Sequence, residues 1–287
     1  MRRHQPGTAS VRGGFSLIEL LIVIVIIGIL LALVLPAISG VRLRARMAEV
    51  SSEISQLDAA IAKFRSVYNV DPPSSLLIPA AGGSWTPVDR SKVRTIWPQF
   101  DFSTNGGLAN GSAIHLNGAE CLVFFLGGVE VTTSSPPLVM GFSKDPRFPW
   151  QTAGTNREGP FFEFANERFS DVDSDGALEF LDPLPDQSAP YLFLSSQGKK
   201  YLRTNTSGLD DYDVLGGPAN ARDMQTVYLK TATPPQEQRP GGYQIISPGL
   251  DGAYGPGGVY SDGDELTGAR FEEADNITNF SGGQLKP

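Results

Sequence analysis

The chain has 287 residues, 40% of them hydrophobic and 19% charged, enough for one anchored domain or two small ones. Its net charge is −8, and basic residues cluster only at Arg2, Arg3 and Arg12 and again at Arg42, Arg44 and Arg46, so a nucleic-acid partner has little electrostatic support. The single cysteine, Cys121, excludes an intramolecular disulfide, and two histidines, His4 and His115, offer little for histidine-based metal or triad chemistry.

The first element is an apolar run over residues 15–35. As a helix it would span about 31 Å, roughly one hydrocarbon core. The arginines before it predict a cytoplasmic start and an exported remainder. An ordinary secretory signal has a shorter apolar core and a small-residue cleavage site after it. Here Pro36-Ala37-Ile38-Ser39-Gly40 leads instead into Arg42 and a helical pattern. A plain uncleaved anchor is the other ordinary reading. Against both stands Glu19, because a carboxylate inside an apolar stretch is costly and points to a function with a partner.

The string Gly13-Gly14-Phe15-Ser16-Leu17-Ile18-Glu19-Leu20 resembles the prepilin peptidase site of the type IV pilin and type II secretion pseudopilin family. That resemblance implies cleavage between Gly14 and Phe15, methylation of the new Phe15 amine, and retention of the apolar helix as anchor and filament core. The domains it implies are a cleaved leader, 1–14, a transmembrane and filament-core helix, 15–36, an amphipathic half of the same helix, 37–70, and a periplasmic or extracellular head, 71–287. In a filament the partner of Glu19 would be the Phe15 ammonium of a neighbouring subunit, a pair that sets axial register. Snorkelling of Glu19 to the interface is the alternative. Pro36 also matches the family. It either kinks the helix or marks the membrane exit.

Beyond Arg42, residues Leu43, Met47, Val50, Ile54, Leu57, Ile61, Phe64 and Tyr68 alternate spacings of four and three. This is one apolar stripe on a long helix that packs its face on a sheet, and the helix should end near Tyr68, before Asp71-Pro72-Pro73. With 32 glycines and 22 prolines in the chain, the segment after residue 73 should be short strands and long loops. Strands are predicted at 120–126, 190–194 and 243–247, with shorter pieces near 137–142 and 160–164. Residues 79–118 read as a polar, glycine-rich insertion. The predicted fold class is therefore α+β, a long N-terminal helix packed on a small antiparallel sheet with long loops. The turn from Tyr68 to Leu76, and Asp182-Pro183 followed by Pro190-Tyr191, resemble segments of major pseudopilins. Leu184 stands where that family has tryptophan.

Two acidic segments are candidate structural calcium sites. In the first, Asp171, Asp173, Asp175, Gly176, Ala177, Glu179 and Asp182 occupy positions 1, 3, 5, 6, 7, 9 and 12 of an EF-hand-type loop. Asp182 replaces the longer Glu that closes such loops bidentately. The second runs from Ser247-Pro248-Gly249-Leu250-Asp251-Gly252 through Asp262 and Asp264 to Asp275-Asn276-Ile277. It resembles the C-terminal calcium loop of major pseudopilins, in which Asp251 matches the first acid and the second falls on Asp275 or Asn276; Leu250, Asp251, Asp262, Asp264 and Asp275 are the candidate ligands. The bland readings are a solvated acidic turn and a flexible acidic tail.

The functional expectation is a structural subunit of a type II secretion pseudopilus rather than an enzyme. Its implied partners are further copies in a homo-oligomeric filament, other pseudopilins, the inner-membrane assembly platform and prepilin peptidase. Its implied place is the bacterial inner membrane, single-pass, with a periplasmic head. The alternative is a type IV pilus subunit serving adhesion, motility or DNA uptake. A membrane-tethered binding module, using 79–118 as its face, or a two-carboxylate hydrolase stands further off. No Gly-x-Ser-x-Gly, His-Glu-x-x-His or phosphate-binding loop is present.

Overall fold

A computed structural model describes residues 16–131, 136–197, 200–201 and 224–286, with the helical backbone alone at 34–39. The chain divides into two units, 1–45 and 46–287. Helix α1, Leu17–Tyr68, contributes to both. Within the first unit, side chains 17–33 are all exposed, from Leu17 at 83% to Val23 at 44%. Among the described residues no helix is long and apolar enough to cross a membrane.

In the second unit α1 buries Val50, Ile54, Leu57, Ile61 and Phe64, the predicted stripe, with Met47 and Tyr68 packed at its ends. The stripe's flanks are polar, and the head uses them. Glu53 accepts from the Tyr191 hydroxyl at 2.7 Å and pairs with Arg168. Asp58 accepts from Arg239 Nη1 at 3.0 Å and from Asn279 Nδ2 at 3.0 Å. The helix stops at Tyr68 as expected, because Asn69 turns to φ 59°, its N–H closing on the Arg65 carbonyl at 2.8 Å, and Pro72 and Pro73 come next.

The rest of the head is α+β, with five small sheets among the described residues where the sequence suggested one. Strands β1, Leu76–Ile78, and β2, Ile114–Leu116, pair antiparallel, flanking α2, Pro87–Ile96. Helix α3, Gly118–Gly127, comes directly after β2. Next come two short antiparallel pairs, β3 (Phe142–Ser143) with β4 (Arg157–Glu158) and β5 (Phe169–Ser170) with β6 (Glu179–Phe180). Strand β7, Leu192–Ser195, precedes β8, Thr226–Ala232, β9, Pro235–Glu237, and β10, Tyr243–Ser247. Strands β11, Gly257–Val259, and β12, Ile277–Thr278, complete two three-stranded sheets, β12-β10-β7 and β11-β8-β9. Only the β11–β8 pairing is parallel among these.

The strands predicted at 190–194 and 243–247 are β7 and β10, antiparallel neighbours with Tyr243 opposite Ser195. The strand predicted at 120–126 is instead helix α3. Residues 121–126 are apolar on every side, so periodicity did not discriminate. The deciding signal is the cap. Asn117 Oδ1 accepts from the N–H groups of Ala119 (2.9 Å) and Glu120 (3.1 Å), and Glu120 Oε2 accepts from the Asn117 N–H at 2.6 Å. No strand forms at 160–164. There Phe161, Phe162 and Phe164 are buried as irregular chain. Segment 79–118 supplies Val93, Ile96, Trp97 and Phe100 to the main core, where the Trp97 ring lies 5.0 Å from Phe142 and 5.7 Å from Trp150. A second core gathers Tyr228, Tyr254 and Tyr260 around Leu194 and Ile246.

Candidate functional site

Gly14 and Phe15 lie outside the described residues. Ser16 and Glu19 form a reciprocal cap on α1. The Ser16 N–H donates to Glu19 Oε2 at 2.9 Å, and the Glu19 N–H donates to Ser16 Oγ at 3.2 Å. This is a capping box, Ser-x-x-Glu, worn by an exposed acid. Glu19 therefore has a local role within one chain, before any intermolecular partner is considered. Pro36 falls within α1, where the backbone alone is described.

The first acidic segment is the loop of a hairpin, not a loop between helices. Strands β5 and β6 pair Phe169 with Phe180 and Ser170 with Glu179, so 171–178 forms the turn. Asp173 Oδ1 accepts from the Asp175 N–H at 3.3 Å and Asp175 Oδ1 from the Ala177 N–H at 2.9 Å. Gly176 sits at φ 94°, the conformation its place in the motif demands. Asp171 is exposed. Glu179 is fully buried, and its Oε2 accepts from the Val172 N–H at 2.8 Å.

Asp182 does not join this loop. Side chains on an extended segment alternate faces, so Glu179 and Asp182, three apart, point opposite ways. Asp182 is held by the Ser247 hydroxyl at 2.5 Å, by Gln187 Nε2 at 3.0 Å and by the Leu184 N–H at 3.0 Å. Its carboxyl thus serves the second acidic segment, whose Gly249 carbonyl also accepts from Gln187 at 2.9 Å.

In place of Asp182, the fold brings Glu120. One carboxyl oxygen each from Glu120, Asp173 and Asp175 lies within 4.8 Å of the others. Burial, reinforced by the neighbouring acids, pushes Glu120 up to about 10, Glu179 up to about 8 and Asp173 up to about 6. Sequence reasoning missed Glu120. The signal was present, since it is the one acid in the apolar run 119–126 and stands three residues after Asn117.

In the second segment each candidate acid serves a local turn. Asp275 Oδ2 accepts from the Leu250 N–H at 2.5 Å, Asp251 Oδ1 from the Ala253 N–H at 2.9 Å, and Asp264 Oδ2 from the Ser261 N–H at 2.7 Å. Asp262 is exposed. No three of these described acids have oxygens within 4.8 Å of one another. Gly249, at φ 68°, lets the turn pass under Asp275, because a Cβ there would meet the Asp275 carboxyl carbon at 2.5 Å.

Residues 10–35 match the family described as the prokaryotic N-terminal methylation motif. This segment fits the type IV pilin and pseudopilin class. The match covers the N-terminal segment and leaves the head uncovered. No curated protein and no solved structure matches the chain.

Proposed function

We propose that this chain is a structural subunit of a type II secretion pseudopilus, assembled through its N-terminal helix after prepilin peptidase cuts before Phe15. One observation carries the reading most: the methylation motif at 10–35 contains side chains 17–33, all of them exposed. An apolar surface of that extent calls for a covering, first lipid and then neighbouring copies. Prepilin peptidase, other pseudopilins and the inner-membrane assembly platform are the partners this implies, with the head on the periplasmic side. A role in architecture rather than catalysis agrees with the motif and with the absence of hydrolase signatures in the sequence.

Intact-mass measurement on the mature protein tests the processing step. It should show the first 14 residues missing and one methyl group added. A native chain still beginning at Met1 sinks the proposal. Glu19 separates the roles of cap and charge. Gln keeps the capping box but removes the charge, whereas Ala removes both. If Glu19 pairs with a neighbour's Phe15 ammonium, Glu19→Gln abolishes filament assembly as fully as Glu19→Ala. Assembly that survives Gln and fails with Ala assigns Glu19 to the cap.

A type IV pilus subunit is the second reading, supported by the same motif. The lone Cys121, which rules out a C-terminal disulfide, and the acidic C-terminal loop favour the pseudopilus. Deleting the gene decides between them. Loss of secreted proteins with surface fibres intact supports the pseudopilus, and the reverse supports the pilus.

A further inference from the structure

Two buried carboxyl oxygens in the head stand without a hydrogen-bond partner, Glu120 Oε1 and Glu179 Oε1. Glu120 is 1% exposed and Glu179 is 0% exposed. The other oxygen of each is satisfied by a backbone N–H, of Asn117 and Val172 respectively. A buried polar atom with nothing to bond is penalised, and a buried ionised one far more. Among the described residues, Glu120, Asp173, Asp175 and Glu179 make no salt bridge with Lys, Arg or His. Asn117 Nδ2 donates to Asp173 Oδ2 at 3.5 Å.

We infer that Glu120, Asp173 and Asp175, with Glu179 as a fourth acid beside them, form a site for a hard divalent cation of the calcium class, which ties the β5–β6 loop to the N-terminus of α3. The ligand set is all oxygen, which suits calcium or magnesium and not zinc or copper. The site differs from a linear EF-hand-type loop in its closing residue: an acid from the start of a distant helix takes the place that Asp182 leaves vacant. A cavity of about 270 Å³, lined in part by Glu120, Gly176 and Ala177, lies beside the cluster.

The experiment uses the full-length chain in detergent, stripped with a chelator and then titrated with calcium chloride, with magnesium chloride in parallel. Calorimetry should detect calcium binding, and Tm should rise by about 5 °C at a hundredfold excess over Kd. Asp175→Asn keeps the turn's hydrogen bond, and Glu120→Gln keeps the capping box, so both should fold. Each should lower calcium affinity at least about tenfold and flatten the Tm response. Asp275→Asn, in the second acidic segment, should leave the response whole. A wild-type Tm indifferent to calcium at about 10 mM, near the weak end of protein calcium sites, overturns the inference. So does a response that Asp275→Asn removes while Asp175→Asn and Glu120→Gln retain it.

Discussion

The two ends of α1 obey opposite rules. Residues 20–33 are apolar on every side and all exposed. Residues 46–68 bury one apolar stripe in the head, and their acids Glu53 and Asp58 are tied to arginines brought from far along the chain. A helix apolar all round is built for an apolar environment, whereas an amphipathic one is half of a core. One continuous helix thus carries two patterns, and the change near Arg42–Arg46 marks where one gives way to the other.

That contrast can be broken by substitution, read as stability of the head. Phe64 should matter most. It is fully buried, with ring centroids 5.3 Å from Phe161 and 5.9 Å from Phe125. Phe64→Ala should cost about 3–5 kcal/mol in urea unfolding. Next comes Glu53→Ala, which leaves the Arg168 guanidinium and the Tyr191 hydroxyl without their shared acceptor. The pair is partly screened, so the loss should be about 1–3 kcal/mol, and Glu53→Gln should recover part of it. Smallest of all should be Leu21→Ala, within about 0.5 kcal/mol of wild type in the head. The same substitution should weaken filament assembly, which sedimentation of sheared filaments would measure. If Leu21→Ala destabilised the head as much as Phe64→Ala, the division of labour along α1 would be wrong.

Much of this was legible in advance, for local reasons. The stripe from Val50 to Phe64, the stop at Tyr68 and strands β7 and β10 come from side-chain period and turn residues, which act over a few positions. Helix α3 was not, because Cys121–Leu126 is apolar on all sides and suits a buried strand equally well; the cap at Asn117 decides it. The acidic loop was read as a linear motif in which residue twelve closes the site. A hairpin alternates its side chains and turns Asp182 away.

By itself the sequence determined the N-terminal motif at 10–35, the long helix and the place where its character changes, since each depends on the order of neighbouring residues. Only the tertiary structure decided that 79–118 feeds the core through Trp97 and Phe100, and that Glu120 rather than Asp182 meets Asp173 and Asp175. Those outcomes depend on which distant segments pack together, a matter of shape and burial that spacing along the chain does not encode.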